Sequence, residues 1–159
     1  MVRRFEGEVA LVTGAATGIG QATATRLAAD GGTVAVNHLP GQDPGETLAR
    51  ISDADGQGFA YPTDVRDPEH VTAMVHGVAE SAGRLDYVVS NAGIKPTSAR
   101  PTRSHIAERR ARSACCAQPE ELAAAITLLL PGDASYVTAA TPLVDGWLHC
   151  ERRTLGARR

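Results

Sequence analysis

Short apolar runs alternate with helical stretches through the first half of this chain, and that alternation leaves few folds open. Glu8-Val9-Ala10-Leu11-Val12-Thr13 is apolar, is bounded by Gly7 and Gly14, and reads as a buried parallel strand. From Gly18 to Asp30 the residues Ile19, Ala22, Leu27 and Ala28 recur at helical spacing, and Gly31-Gly32 stops the helix. Thr33–Asn37 is a second strand, residues 44–54 a helix with Leu48 and Ile51 on one face, and Gly58–Tyr61 a third strand. Asp67-Pro68-Glu69 starts a helix with a side-chain cap, a proline in the first turn and then an acid. That helix runs through Val71, Met74, Val75 and Val78 to Gly83, and Asp86–Ser90 is a fourth strand. Strand and helix in strict alternation require a parallel sheet with right-handed crossovers.

The pattern fails at Lys95. Residues 95–117 have no periodicity, contain Pro96 and Pro101 and lack aromatic residues. They carry Lys95, Arg100, Arg103, Arg109, Arg110 and Arg112 against the single acid Glu108. Order resumes at Pro119-Glu120-Glu121-Leu122, a helix start with acids where the helix dipole favours them. Leu122, Ile126, Leu129 and Leu130 give this helix an apolar face, and Pro131-Gly132 ends it. Thr141–Asp145 reads as a last strand, placed at an edge because Pro142 has no N–H. The organisation is therefore an N-terminal half (1–94), a basic irregular linker (95–117), a helix and strand of the same domain (118–148) and a basic tail (149–159).

A chain of 159 residues is the size of one domain, long enough to bury roughly 70% of its unfolded surface. It is 43% hydrophobic and 21% charged, which excludes wholesale disorder. The net charge of −2 conceals the two basic segments on an otherwise acidic chain. No apolar run reaches the ~18 residues of a membrane span, and the start, Met1–Glu6, has no signal core. Cys115, Cys116 and Cys150 form neither a disulfide framework nor a paired metal motif, so a reducing cytoplasm is the expected location. His38, His70, His76, His105 and His149 have no metal-ligand spacing, so no metal is expected.

The candidate binding feature is Thr13-Gly14-Ala15-Ala16-Thr17-Gly18-Ile19-Gly20, set between the first strand and first helix. Gly14 allows the tight turn, while Gly18 and Gly20 remove side chains where a pyrophosphate and the sheet must approach. The helix start then offers free N–H groups and partial positive charge to phosphates. Strand, turn and helix in this order point to a dinucleotide. The bland alternative is a packing turn without a ligand.

These residues resemble the TGxxxGIG motif of the short-chain dehydrogenase/reductase family. Asp64-Val65 after the third strand matches that family's adenine-contacting acid. Ser90-Asn91-Ala92-Gly93 resembles its NNAG motif, with Ser90 in place of the first Asn. Pro119-Glu120-Glu121, Ala134–Thr138 and Val144-Asp145-Gly146 resemble its C-terminal segment. The wording is similar to bacterial members such as glucose 1-dehydrogenase and 3-oxoacyl-carrier-protein reductase. The resemblance implies a doubly wound Rossmann-like α/β fold, truncated here, with strand order beginning 3-2-1-4. The last strand is expected beside strand four, in the slot a missing fifth strand leaves. It also implies an NAD(P) site formed by Gly14, Thr17, Gly18, Ile19, Gly20, Asn37, His38, Asp64, Val65, Asn91, Ala92 and Gly93. No acid ends the second strand and no arginine stands at 15–17 or 37–43. Asn37 can bond a ribose hydroxyl without repelling a phosphate, so either NAD or NADP is expected, leaning to NADP.

The family's catalytic groups are absent. Its tyrosine moves a proton, a lysine four residues later lowers the tyrosine pKa, and a serine polarises the substrate oxygen. Four residues after Tyr61, Tyr87 and Tyr136 stand Val65, Asn91 and Ala140. No catalytic residue is therefore assigned. Ser98, Ser104 and Ser113 lie in the arginine-rich stretch, not at a strand end. Where the family places two further βα units, this chain has residues 95–117. That segment reads as a linker left by deletion or frame shift, as a patch for an acidic partner, or as a segment that folds on binding. Without aromatic interleaving a nucleic-acid partner is disfavoured. The expectation is an oxidoreductase by lineage with impaired catalysis. The alternatives are a non-catalytic nucleotide-binding or interaction protein and a gene fragment without function. Substrate and oligomeric state have no sequence signal.

Overall fold

The computed structural model describes residues 3–93, 117–130 and 134–144. The readings made for Lys95 to Cys116, for Pro131-Gly132, and for Asp145, Gly146 and the basic tail lie outside these residues. Four strands, β1 (Val9–Val12), β2 (Thr33–His38), β3 (Gln57–Pro62) and β4 (Tyr87–Val89), alternate with α1 (Gly18–Ala29), α2 (Gly45–Asp53) and α3 (Pro68–Ala82). A further helix, α4 (Pro119–Leu128), follows. The sheet is wholly parallel in the order β3-β2-β1-β4, as the sequence led us to expect. Leu11 sits at the centre, in register with Ala35 on one side and Val88 on the other.

Side chains alternate between the two sheet faces because successive strand residues point in opposite directions. Ala10, Val12, Val34, Val36 and Val89 pack with Phe5, Leu27 and Ile51 on the face covered by α1, α2 and α4. Val9, Leu11 and Ala35 pack with Met74 and Val78 of α3 on the other. Each face is thus sealed by helices, which is why β1 and β2 are buried at almost every position. At the β4 edge this cover stops, and Val88 is 52% exposed.

Caps fix the helix ends. The Asp67 carboxylate accepts from the backbone N–H of Glu69 and His70, Pro68 opens the first turn of α3, and Gly83 ends the helix in the left-handed region. Gln118 and Glu121 form a reciprocal capping box at the start of α4. Along α4 the contact surface is rotated from the expected one. Ala123 and Thr127 are buried, Ile126 and Leu130 reach the core, and Leu129 is 40% exposed. Ala22 and Ala29 of α1 face Ala123 of α4 across a narrow groove, and small residues on both sides let the helices approach closely.

The last strand is not formed as expected. Thr141–Val144 is irregular and exposed and joins no strand of the sheet, so the described segment does not occupy the slot beside β4. Pro142 removes one donor from a stretch already short, and no described residue buries Leu143 or Val144. Alternation of residue types alone cannot hold a strand without a neighbour to pair with and a face to pack on. Among the described residues, no helix is long and apolar enough to cross a membrane.

Candidate functional site

Successive strands are added to one side of β1 up to β3 and to its other side at β4, and the loops leaving the carboxyl ends of β1 and β4 part to leave a crevice. A cleft of about 610 Å³ lies there. Its walls are Gly14 and Thr17 after β1, Asn37, Leu39 and Gln42 after β2, Thr63 to Arg66 after β3, and Asn91 to Gly93 after β4.

Thr13 and Asn91 fasten the two central strand ends together. The buried Thr13 hydroxyl donates to the Val89 carbonyl (3.3 Å) and accepts from the backbone N–H of Asn91 (2.9 Å) and Ala92 (3.0 Å). The Asn91 amide donates back to the carbonyls of Thr13 (2.9 Å) and Gly14 (3.3 Å). Replacing Thr13 with valine keeps the shape but deprives two N–H groups of their acceptor. We expect a loss of about 1–3 kcal/mol in urea unfolding, with Asn91 losing its fixed position.

The glycine turn follows directly. Gly14 has φ +62°, and a Cβ there would lie 3.0 Å from Ala92 Cα. Gly18 also lies in the left-handed region, at φ +60°, but a Cβ there would meet nothing within 4 Å. Here the backbone opens α1 without a side chain and faces open space. Thr17 makes no side-chain cap bond and α1 has no acid in its first turn, unlike the capped start of α3. The first N–H groups of α1 therefore have no side-chain acceptor, which is the physical condition for holding an anion.

Asn37 reaches the cleft but is 2% exposed, and its amide is engaged within the fold. Nδ2 donates to the carbonyls of Tyr61 (3.2 Å) and Thr63 (3.1 Å), and Oδ1 accepts from the Gly14 N–H (3.2 Å). Asn37 thus braces the glycine turn against the end of β3; its amide is not a free group awaiting a ribose hydroxyl. His38 is buried, with Nδ1 at 3.0 Å from the Leu39 carbonyl, and it does not line the cleft. Leu39, 49% exposed, and Gln42 take that place.

Asp64 lies on the opposite wall. Arg66 grips it with two guanidinium nitrogens, Nε at 2.9 Å from Oδ1 and a terminal nitrogen at 2.5 Å from Oδ2. The Arg66 backbone N–H adds a third donor at 3.0 Å. These bonds hold the Asp64 carboxyl down to about 2, so it is ionised throughout the neutral range.

None of the three tyrosines lines the cleft. Tyr61 packs on the α3 side of the sheet. Tyr87 meets Phe5 edge to face with ring centroids 5.7 Å apart. Burial and the neighbouring Glu8 push the Tyr87 hydroxyl above its ordinary range, away from what a proton-transfer group needs. Tyr136 is 98% exposed. Among the described residues no group of three or more His, Cys, Asp or Glu side chains could hold a metal.

Of the residues singled out from sequence, Gly14, Thr17, Asn37, Asp64, Val65, Asn91, Ala92 and Gly93 converge on this cleft. Gly18, Ile19 and Gly20 form the start of α1 beside it. Leu39, Gln42, Thr63 and Arg66 were missed as site residues; they carry no motif of their own and arrive through strand order. Thr13 opens the glycine motif in the sequence, but its role as a brace is visible only in the fold.

A family model described as short chain dehydrogenase matches residues 8–115. The chain is 49% identical over 86 residues to 1-cyclohexenylcarbonyl-CoA reductase of Streptomyces collinus, covering 54% of this chain and 31% of that protein. Among solved structures, a putative short-chain alcohol dehydrogenase from Sinorhizobium meliloti 1021 is 38% identical with a TM-score of 0.57, covering 65% of this chain and 40% of that one. A short chain dehydrogenase from Mycobacterium paratuberculosis bound to NAD is 33% identical with a TM-score of 0.53, covering 60% and 40%. The chain spans only 31–38% of the length of the first curated relatives it matches. The strand order, the glycine turn, the Asn91-Ala92-Gly93 wall and the family match agree: the chain belongs to the short chain dehydrogenase family.

Proposed function

We propose that this chain binds a nicotinamide dinucleotide in the cleft at the carboxyl ends of β1 and β4, with the pyrophosphate over the start of α1. The observation that carries the proposal is the pairing of an uncapped helix start with the side-chain-free Gly18. The fit extends along the cleft, with Asp64 and Val65 at one wall for the adenine end and Asn91 to Gly93 at the other for the nicotinamide end. The absence of an acid at the end of β2 lets a phosphorylated ribose approach, so NADP is favoured over NAD. Support comes also from the NAD held by the Mycobacterium paratuberculosis relative.

A bound cofactor would give or accept a hydride. The described residues lining the cleft would hold and orient it, and among them there is no tyrosine–lysine pair. Tyr61, Tyr87 and Tyr136 have no lysine four residues on, and all three lie away from the cleft. We therefore expect a binding protein of dehydrogenase lineage without turnover of its own. Titration of purified, folded protein with NADH and NADPH, followed by nicotinamide fluorescence, should show saturable binding. Carbonyl reduction assayed on the same sample should stay at background. Turnover of about 1 s⁻¹ or more, an ordinary dehydrogenase rate, would overturn the second half of the proposal. A folded protein that binds neither nucleotide would overturn the first.

A further inference from the structure

We propose that Arg66 selects nucleotides carrying a phosphate on the adenosine ribose, by exchanging its partner Asp64 for that phosphate. The proposal rests on the dinucleotide site described above and names the group that sets its preference. Arg66 is the only cation among the described residues lining the cleft, and Asp64 is the only acid. The Arg66 side chain is 74% exposed and also borders an adjoining open depression with Asp67, Pro68 and His70. Its guanidinium therefore stands at a rim between two open volumes, with room to turn. The neighbouring acid Asp67 is engaged, capping α3 and lying 3.7 Å from His70. Across the cleft, Leu39 and Gln42 are uncharged, so nothing there repels a phosphate.

The chemistry of the exchange is favourable. A guanidinium fork matches two phosphate oxygens as well as two carboxylate oxygens, and a phosphate carries more negative charge. Solvent screens an exposed ion pair, so releasing Asp64 costs little. Asp64, ionised and now without its arginine, has acceptor oxygens free for the exocyclic amine of the base. One ligand thus satisfies both halves of the separated pair. The preference comes from the loop after β3, outside the segments at 15–17 and 37–43 where the sequence has no arginine.

The test is a titration of the whole chain and of Arg66→Gln with NADPH and NADH, and with adenosine 2′-phosphate and adenosine 5′-phosphate as nicotinamide-free probes. Circular dichroism confirms that the variant is folded, as its exposed position predicts. Wild type should favour the 2′-phosphorylated ligand of each pair by about tenfold or more, the worth of a charge-assisted contact. In Arg66→Gln that ratio should fall to near one, through loss on the phosphorylated side alone, and in wild type it should shrink as salt rises. A ratio of one in wild type, or a ratio that Arg66→Gln leaves unchanged, overturns the role of Arg66 while the cleft remains a nucleotide site. Tighter binding of every ligand by Arg66→Gln also overturns it, since Arg66 would then be blocking Asp64. Failure of folded wild type to bind any of the four would remove the dinucleotide site and this inference together.

Discussion

Asn37→Asp is expected to destabilise the fold by about 3 kcal/mol or more, although it installs the acid that a dinucleotide fold uses to hold a ribose. The Asn37 amide donates to the carbonyls of Tyr61 and Thr63 at 3.2 and 3.1 Å, in a site 2% exposed. A carboxylate has no hydrogen to donate. It would face two carbonyl oxygens with its own negative charge, and burial makes each unpaired group costly. The Gly14 N–H would keep an acceptor, so only part of the network survives. Urea unfolding followed by circular dichroism measures the loss. The pH dependence separates this cause from a packing defect. Burial and the facing carbonyls raise the folded-state pKa of the new acid, so its penalty is full above that pKa and shrinks as the pH falls through it. A variant as stable as wild type at neutral pH would show that Asn37 is not the brace we describe.

Gly20→Ala should cost about 1–3 kcal/mol in stability and reduce nucleotide binding further than that loss of fold explains. A Cβ at Gly20 would lie 2.5 Å from the Gly14 carbonyl oxygen, 2.5 Å from Asn91 Nδ2 and 3.0 Å from Ala15 Cα. Two of these neighbours are backbone and cannot step aside by a rotamer change. Because Gly14 and Asn91 line the cleft, the relief of the clash moves the cleft itself. Gly18→Ala is the instructive contrast. Its Cβ would meet no protein atom within 4 Å, so its cost is the left-handed backbone, roughly 1–2 kcal/mol, together with intrusion on whatever lies over α1. Unfolding curves and NADPH titrations of both variants check this. Equal losses of binding from the two would mean that the glycines act only by giving α1 its start.

Much of the architecture was legible because it is encoded locally. Apolar runs as short as Val9–Val12 declare a strand buried on both faces, and Asp67-Pro68 with Gly83 marks both ends of a helix within its own residues. The glycine turn announces itself for the same reason, since Gly14 and Gly18 adopt backbone angles that other residues resist. Local signals failed where pairing decides the outcome. Thr141–Val144 has the composition of a strand but no partner among the described residues. Along α4 the helical repeat named the leucines, whereas close approach to α1 selected Ala123 and Thr127 for burial. The roles of individual polar groups were least accessible. Asn37 was expected to face a ligand, and its amide is instead turned inward by carbonyls that belong to residues 61 and 63.

The sequence by itself determined the alternating elements, the parallel sheet they require, the side-chain-free start of α1, and the lack of a tyrosine–lysine pair at catalytic spacing. These follow from residue type and near-neighbour spacing, which set backbone freedom, periodicity and capping. The tertiary structure alone decided which polar groups remain available. It committed Asn37 and Thr13 to bracing the strand ends and placed Arg66, in the loop after β3, at the rim of the cleft. A hydrogen bond or ion pair is fixed by distances of a few ångströms between residues far apart in the chain, and only the packed sheet sets those distances.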